Sequence, residues 1–299
     1  MKLSPRGTLV HYLQGLLMGA ADIVPGVSGG TVALIVGIYE RLITSVRAAA
    51  AAPVALIRGR RDEARERFNE VYWSLVLPLG AGVVTALLIG ARFIPGLLER
   101  YPVESRAVFF GLIAGSLAIP WRRIERPGAA HVLIAVVAAV IAFALVGFPP
   151  REVLNPTNLG IFLAASVAIC AMILPGVSGS FLLLVMGMYE PTLRAVHARD
   201  LVYIAVFGAG AVAGLGLFSR LLEYLLSRHH DTTMAALVGL MVGSLRALWP
   251  YLDADRRLLA PPSFSAVLVP LVLAALGFLT VTLLVRVSAV ASRGPEPRH

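Results

Sequence analysis

The sequence predicts an all-α polytopic membrane protein made of two inverted repeats, each a re-entrant helical hairpin followed by three transmembrane helices. Three observations carry this expectation: a composition too apolar for a soluble domain, six apolar runs of spanning length, and a Pro-Gly-Val-Ser-Gly segment that breaks a hydrophobic stretch once in each half.

Of the 299 residues, 58% are hydrophobic and 14% charged. A soluble domain carries about 45–50% apolar and about 25% charged residues. Apolar runs long enough to cross a bilayer fall at 71–94, 105–121, 129–148, 201–226, 233–250 and 264–287. The net charge of +9 sits in short segments between these runs. That pattern fits topology-setting arginines at a headgroup surface, so no nucleic-acid partner is expected. A single cysteine, Cys170, permits no intrachain disulfide and no cysteine-built zinc site, and the six histidines lack ligand spacing. No metal or other cofactor is expected. Lys2 and Arg6 precede an apolar stretch that superficially resembles a cleaved leader. Asp22 and Pro25 interrupt it, and its sequence recurs 150 residues later, so it is read as mature protein.

That recurrence organises the chain. Ala21 to Glu40 (ADIVPGVSGGTVALIVGIYE) aligns without a gap on Ala171 to Glu190 (AMILPGVSGSFLLLVMGMYE). At a smaller offset, Gly80-Ala81-Gly82 aligns with Gly208-Ala209-Gly210, and Gly111/Gly115 with Gly239/Gly243. Repeat 1 is expected over 1–148, with a hairpin at 9–46, a cytoplasmic basic segment at 47–70 and three spans. Repeat 2 is expected over 149–299, with a hairpin at 159–195, three spans and a short tail.

The segment from Leu9 to Val46 is too long for one helix across about 30 Å at about 1.5 Å per residue, and Pro25-Gly26 and Gly29-Gly30 break it in the middle. Two half-helices returning to one face give an odd number of crossings per half, which inverts the second half. With both hairpin flanks and both termini in the cytoplasm, 17 of the 26 Lys and Arg residues lie inside and 9 outside. Fully crossing motif segments give 15 and 11, so the positive-inside rule favours the hairpins.

Irregular backbone at membrane depth needs protein or a water-filled cavity around it, and the two loops are expected to meet there. An apolar run follows each loop, Thr31 to Ile38 and Phe181 to Met188, so a helix N-terminus points at the junction. Such an end favours an anion, and glycine admits an oxygen-rich group close to the backbone. Ser28 and Ser178 have two compatible readings, as N-caps and as ligand contacts. Asp22 at hydrophobic depth is a proton-binding or gating candidate; the alternative is a carboxylate bonded to free backbone groups at the break. Its counterpart is Met172. Glu40 and Glu190, beside Tyr39 and Tyr189, are either functional carboxylates or parts of interface anchors. Arg41 is either an attractor of lipid phosphate or a snorkelling arginine. The GxxxG pairs are assigned to helix packing.

Over Gly19 to Ile43, GAADIVPGVSGGTVALIVGIYERLI, the sequence resembles the polyprenyl-phosphate transporter family, and the resemblance extends through the degenerate second copy. It implies an inner-membrane protein that is not an enzyme. Such a protein returns undecaprenyl phosphate or a related carrier from the outer to the inner leaflet for reuse in envelope synthesis. The motif carries over onto Asp22, Pro25, Gly26, Ser28, Gly29, Gly30 and Thr31, then Pro175, Gly176, Ser178 and Gly179. Ser180 and Phe181 depart from it where the first copy has Gly30 and Thr31. Nothing matches G-x-x-x-x-G-K-[ST], so movement is expected to be downhill or coupled to an ion gradient. Two other readings are open: a small-anion secondary transporter, and a polyprenyl-pyrophosphate phosphatase. The second lacks an arginine where Gly29 and Gly179 stand.

Overall fold

The computed structural model describes residues 5–23, 28–149, 152–253 and 255–291. Pro25 and Gly26 lie outside the described residues. In the first half the helices are α1 (Pro5–Ile23), α2 (Gly29–Ile35), α3 (Tyr39–Ile57), α4 (Arg61–Glu70), α5 (Trp73–Arg100), α6 (Pro102–Ser116), α7 (Ala118–Trp121) and α8 (Ala129–Leu145). The second half has α9 (Asn158–Ile173), α10 (Gly179–Val185), α11 (Tyr189–His197), α12 (Leu201–Arg228), α13 (His230–Ser244), a 3₁₀ turn (Leu245–Leu248) and α14 (Phe264–Ala291).

Among the described residues five helical stretches are long and apolar enough to cross a membrane: Trp73–Gly90, Pro102–Trp121, Leu201–Arg228, His230–Leu248 and Phe264–Leu283. They coincide with five of the six expected spans. The sixth, expected over 129–148, is the 17-residue α8, which ends at Leu145 with Val146 as its C-cap, before Gly147. Much of the surface of these helices is apolar, with Leu88 and Leu217 each 75% exposed, as a lipid-facing wall requires.

Each motif segment consists of three helical pieces rather than two. Gly37 and Gly187, both at φ +76°, end α2 and α10 after seven residues, and a new helix starts two residues later. At φ +76° any side chain meets a steric cost, so glycine is the natural terminator. Tyr39 therefore starts a helix instead of ending one, and it is buried rather than placed at an interface.

Helix pairs pack through glycine. Gly15 and Gly19 of α1 lie on the backbone of Leu79 and Val83 in α5, and Gly210 and Gly214 of α12 lie on Phe162 and Ser166 of α9. The GxxxG pairs do the same between halves. Gly111 and Gly115 of α6 face Ala274 and Phe278 of α14, while Gly239 and Gly243 of α13 face Ala135 and Ala139 of α8. Because contacts advance by the same step on both partners, all four pairs run parallel. The last helix of each half thus packs on the other half, and the main core is shared, with Leu34, Ile43 and Ile113 packed among Leu222, Met234 and Met241. Arg47 of α3 ties the end of α4 to the end of α12 through Glu70, at 3.1 Å, and Glu223.

Candidate functional site

The site begins where α1 stops. Asp22, in the last turn of α1, reaches across the break and accepts a hydrogen bond of 2.7 Å from the N–H of Gly29, the first residue of α2. Ser28 is the N-cap, extended at φ −129° and ψ 136°, and its Oγ accepts from Gly30 N at 3.1 Å. A helix start leaves its first N–H groups without partners inside the helix. Here Asp22 and Ser28 supply two of them.

The same serine reaches the other half. Its hydroxyl hydrogen is shared between the carbonyls of Met172 and Leu174, each 3.2 Å away, at the end of α9. Thr31 Oγ1 accepts from the N–H of Gly176 at 2.9 Å. Gly30 faces the carbonyl of Ile173 so closely that a Cβ would stand 2.6 Å from it. The break in α1–α2 and the break in α9–α10 are therefore in direct contact, with Ser28, Gly30 and Thr31 on one side and Met172 to Gly176 on the other. Gly176, at φ +85°, also lies against the backbone of Met241 and the hydroxyl of Ser244.

The two loops are not alike. Ser178 caps α10, accepting from Phe181 N at 3.4 Å, and its hydroxyl pairs with that of Ser180 at 2.9 Å. Gly179 packs against Met172, the residue that stands where the first half has Asp22.

Beside the junction is an apolar cavity of about 340 Å³, bounded by α1, α2, α5, α6 and α14. Ala21, Thr31, Val36, Phe109 and Val281 are among its lining residues. Ile113 also borders it, and that residue is fully buried.

The profile of the undecaprenyl phosphate translocase-like family matches residues 18–261, which include both breaks and, apart from Leu17, the cavity wall up to α6. The chain belongs to that family. It is 40% identical over 243 residues to a polyprenyl-phosphate transporter of Vibrio cholerae, covering 81% of this chain and 78% of the relative. It is 28% identical over 302 residues to a polyprenyl-phosphate transporter of Staphylococcus aureus, covering 94% and 97%. No solved structure matches the chain.

In this translocase-like chain Asp22, Ser28, Gly29, Gly30 and Thr31 gather with Pro175, Gly176, Ser178 and Gly179 around the two breaks. The remaining candidates make other contacts. Arg41 is exposed on α3 with its guanidinium 5.3 Å from the centre of the Tyr72 ring. Glu40 pairs with Arg123 at 3.1 Å, and Glu190 is exposed in the first turn of α11. The cavity residues Phe109 and Val281 carried no sequence signal, because an apolar residue facing a cavity and one facing lipid look the same in a hydropathy pattern.

Proposed function

We propose that this protein translocates a polyprenyl phosphate across the cytoplasmic membrane, from the outer to the inner leaflet, by opening and closing the junction between its two loops. The observation that carries the reading is the hydrogen-bonded contact of Ser28 and Thr31 with the 172–176 backbone, directly beside an apolar cavity. The hydroxyls that hold the junction closed are also groups a phosphate can engage. A hydrocarbon chain suits the apolar walls, whereas a small inorganic anion has no use for them. The event is movement without bond cleavage.

The inverted plan is supported by chain direction. α1 runs with α5 and α9 with α12, while Arg47 holds the end of α12 beside the segment that starts α5. Helices α1 and α9 then approach the junction from opposite faces. The face that holds the start of α1 and the end of α14 is read as the cytoplasmic one, since the expected topology puts 17 of the 26 basic residues on that side. The short α2 and α10 are the returning limbs of re-entrant hairpins. Asp22 is the group through which a proton would act, since a protonated carboxyl loosens its hold on Gly29.

The test is transport in proteoliposomes containing polyprenyl phosphate, following headgroup accessibility to an impermeant reagent. Protein-dependent movement that Ser28→Ala and Asp22→Asn diminish, with folding intact, supports the reading. No movement at any chain length or ion gradient sinks it.

A further inference from the structure

Three arginines from different parts of the chain converge where α8 and α13 end. Arg246, in the 3₁₀ turn, donates to the carbonyl of Phe143 at 3.1 Å and to that of Arg256 at 3.5 Å. Arg256 donates to the carbonyl of Val146 at 3.4 Å, and its guanidinium lies 4.0 Å from the centre of the Phe181 ring, in the first turn of α10. Arg106, near the start of α6, donates to the carbonyl of Pro250 at 3.4 Å. Gly147 lies so close to the Arg246 guanidinium that a Cβ there would overlap it.

Capping the carbonyl end of α8 accounts for one cation. It does not account for three. Among the described residues no carboxylate forms an ion pair with any of them. Glu152 is paired with Arg194, and Asp253 accepts from the N–H of Arg257. Burial, and then repulsion from Arg106 and Arg246, lowers the Arg256 guanidinium to about 10. Arg246 Nε is buried without an acceptor, and Arg256 holds its position at φ +62°, a left-handed conformation that is strained for a non-glycine residue. Concentrated positive charge at such cost is resolved by an anion. Guanidinium forks match phosphoryl oxygens two at a time.

We infer that Arg106, Arg246 and Arg256 form a receptor for a phosphate monoester, placed against the first turn of α10 near the Ser178–Ser180 hydroxyl pair. Its identification with a lipid headgroup rests on the proposed transport. On that reading the receptor lies at the face opposite the start of α1 and takes the headgroup before it reaches the junction. Free inorganic phosphate offers the same chemistry.

The test is calorimetric titration of the full chain in nanodiscs with farnesyl phosphate and, separately, inorganic phosphate. Wild type is expected to bind farnesyl phosphate. Arg256→Gln and Arg106→Gln weaken it at least about tenfold, or about 1.4 kcal/mol, and Arg257→Gln leaves it unchanged. Arg106 makes a single carbonyl contact, so its variant keeps the test informative where Arg256→Gln disturbs folding. Equal affinity in wild type and both glutamine variants overturns the receptor and leaves the transport reading standing. Arginine-dependent binding of inorganic phosphate, with none of farnesyl phosphate, upholds the receptor and sinks the lipid. Absence of both in wild type overturns the receptor.

Discussion

The side chain of Thr31 accepts a hydrogen bond from the backbone N–H of Gly176, 145 residues away, and so fastens one broken helix pair to the other. Thr31 also lines the apolar cavity, which makes it, among the described residues, the one common to the junction and the chamber beside it.

Thr31→Val keeps the shape and removes the acceptor. A buried N–H left unpaired costs about 1–3 kcal/mol. The variant is expected to melt at a lower temperature in detergent and to move lipid phosphate with altered kinetics, while Thr31→Ser keeps the bond and stays close to wild type. Thermal unfolding alongside the proteoliposome assay checks both, and an unchanged Thr31→Val would remove the junction from the mechanism.

Asp22→Asn retains an oxygen that can accept from Gly29 but cannot exchange a proton. Folding is therefore expected to survive, and any pH dependence of transport to disappear. Asp22→Ala loses the acceptor for the Gly29 N–H as well, and is expected to be about 1–3 kcal/mol less stable. Transport by Asp22→Asn that tracks pH as wild type does would assign the carboxylate to structure alone.

Gly111 and Gly80 make a controlled pair. A methyl group at Gly111 would run into the Ala274 carbonyl of α14, so Gly111→Ala is expected to destabilise by about 1–3 kcal/mol. At Gly80 a Cβ meets nothing within 4 Å, and alanine there is expected to stabilise the helix by about 1 kcal/mol. Opposite shifts in melting temperature confirm that the α6–α14 pairing depends on backbone contact.

Arg256 sets the pH dependence of anion binding. Its folded-state value, about 10, lies below the ordinary arginine range, so the charged form is disfavoured in the folded chain and the penalty is fully present below about 10. A bound phosphate offsets that penalty. Phosphate is expected to raise the melting temperature near neutral pH and to lose this effect as pH rises through about 10. A phosphate effect that Arg256→Gln leaves intact would place the anion elsewhere.

The sequence alone determined what depends on local pattern. Five of six spans follow from hydropathy, and the two breaks and their capping serines follow from Pro, Gly and Ser in a repeated order. The correspondence of Asp22 with Met172 already marked the halves as unequal. Only the tertiary structure decided that Gly37 and Gly187 end α2 and α10 after one or two turns, that α8 and α14 each pack on the opposite half, and that Arg106, Arg246 and Arg256 converge on one helix end. The reason is physical. Burial period and backbone breaks are properties of neighbouring residues, whereas a cavity wall or an uncompensated charge cluster exists only once segments a hundred or more residues apart have packed.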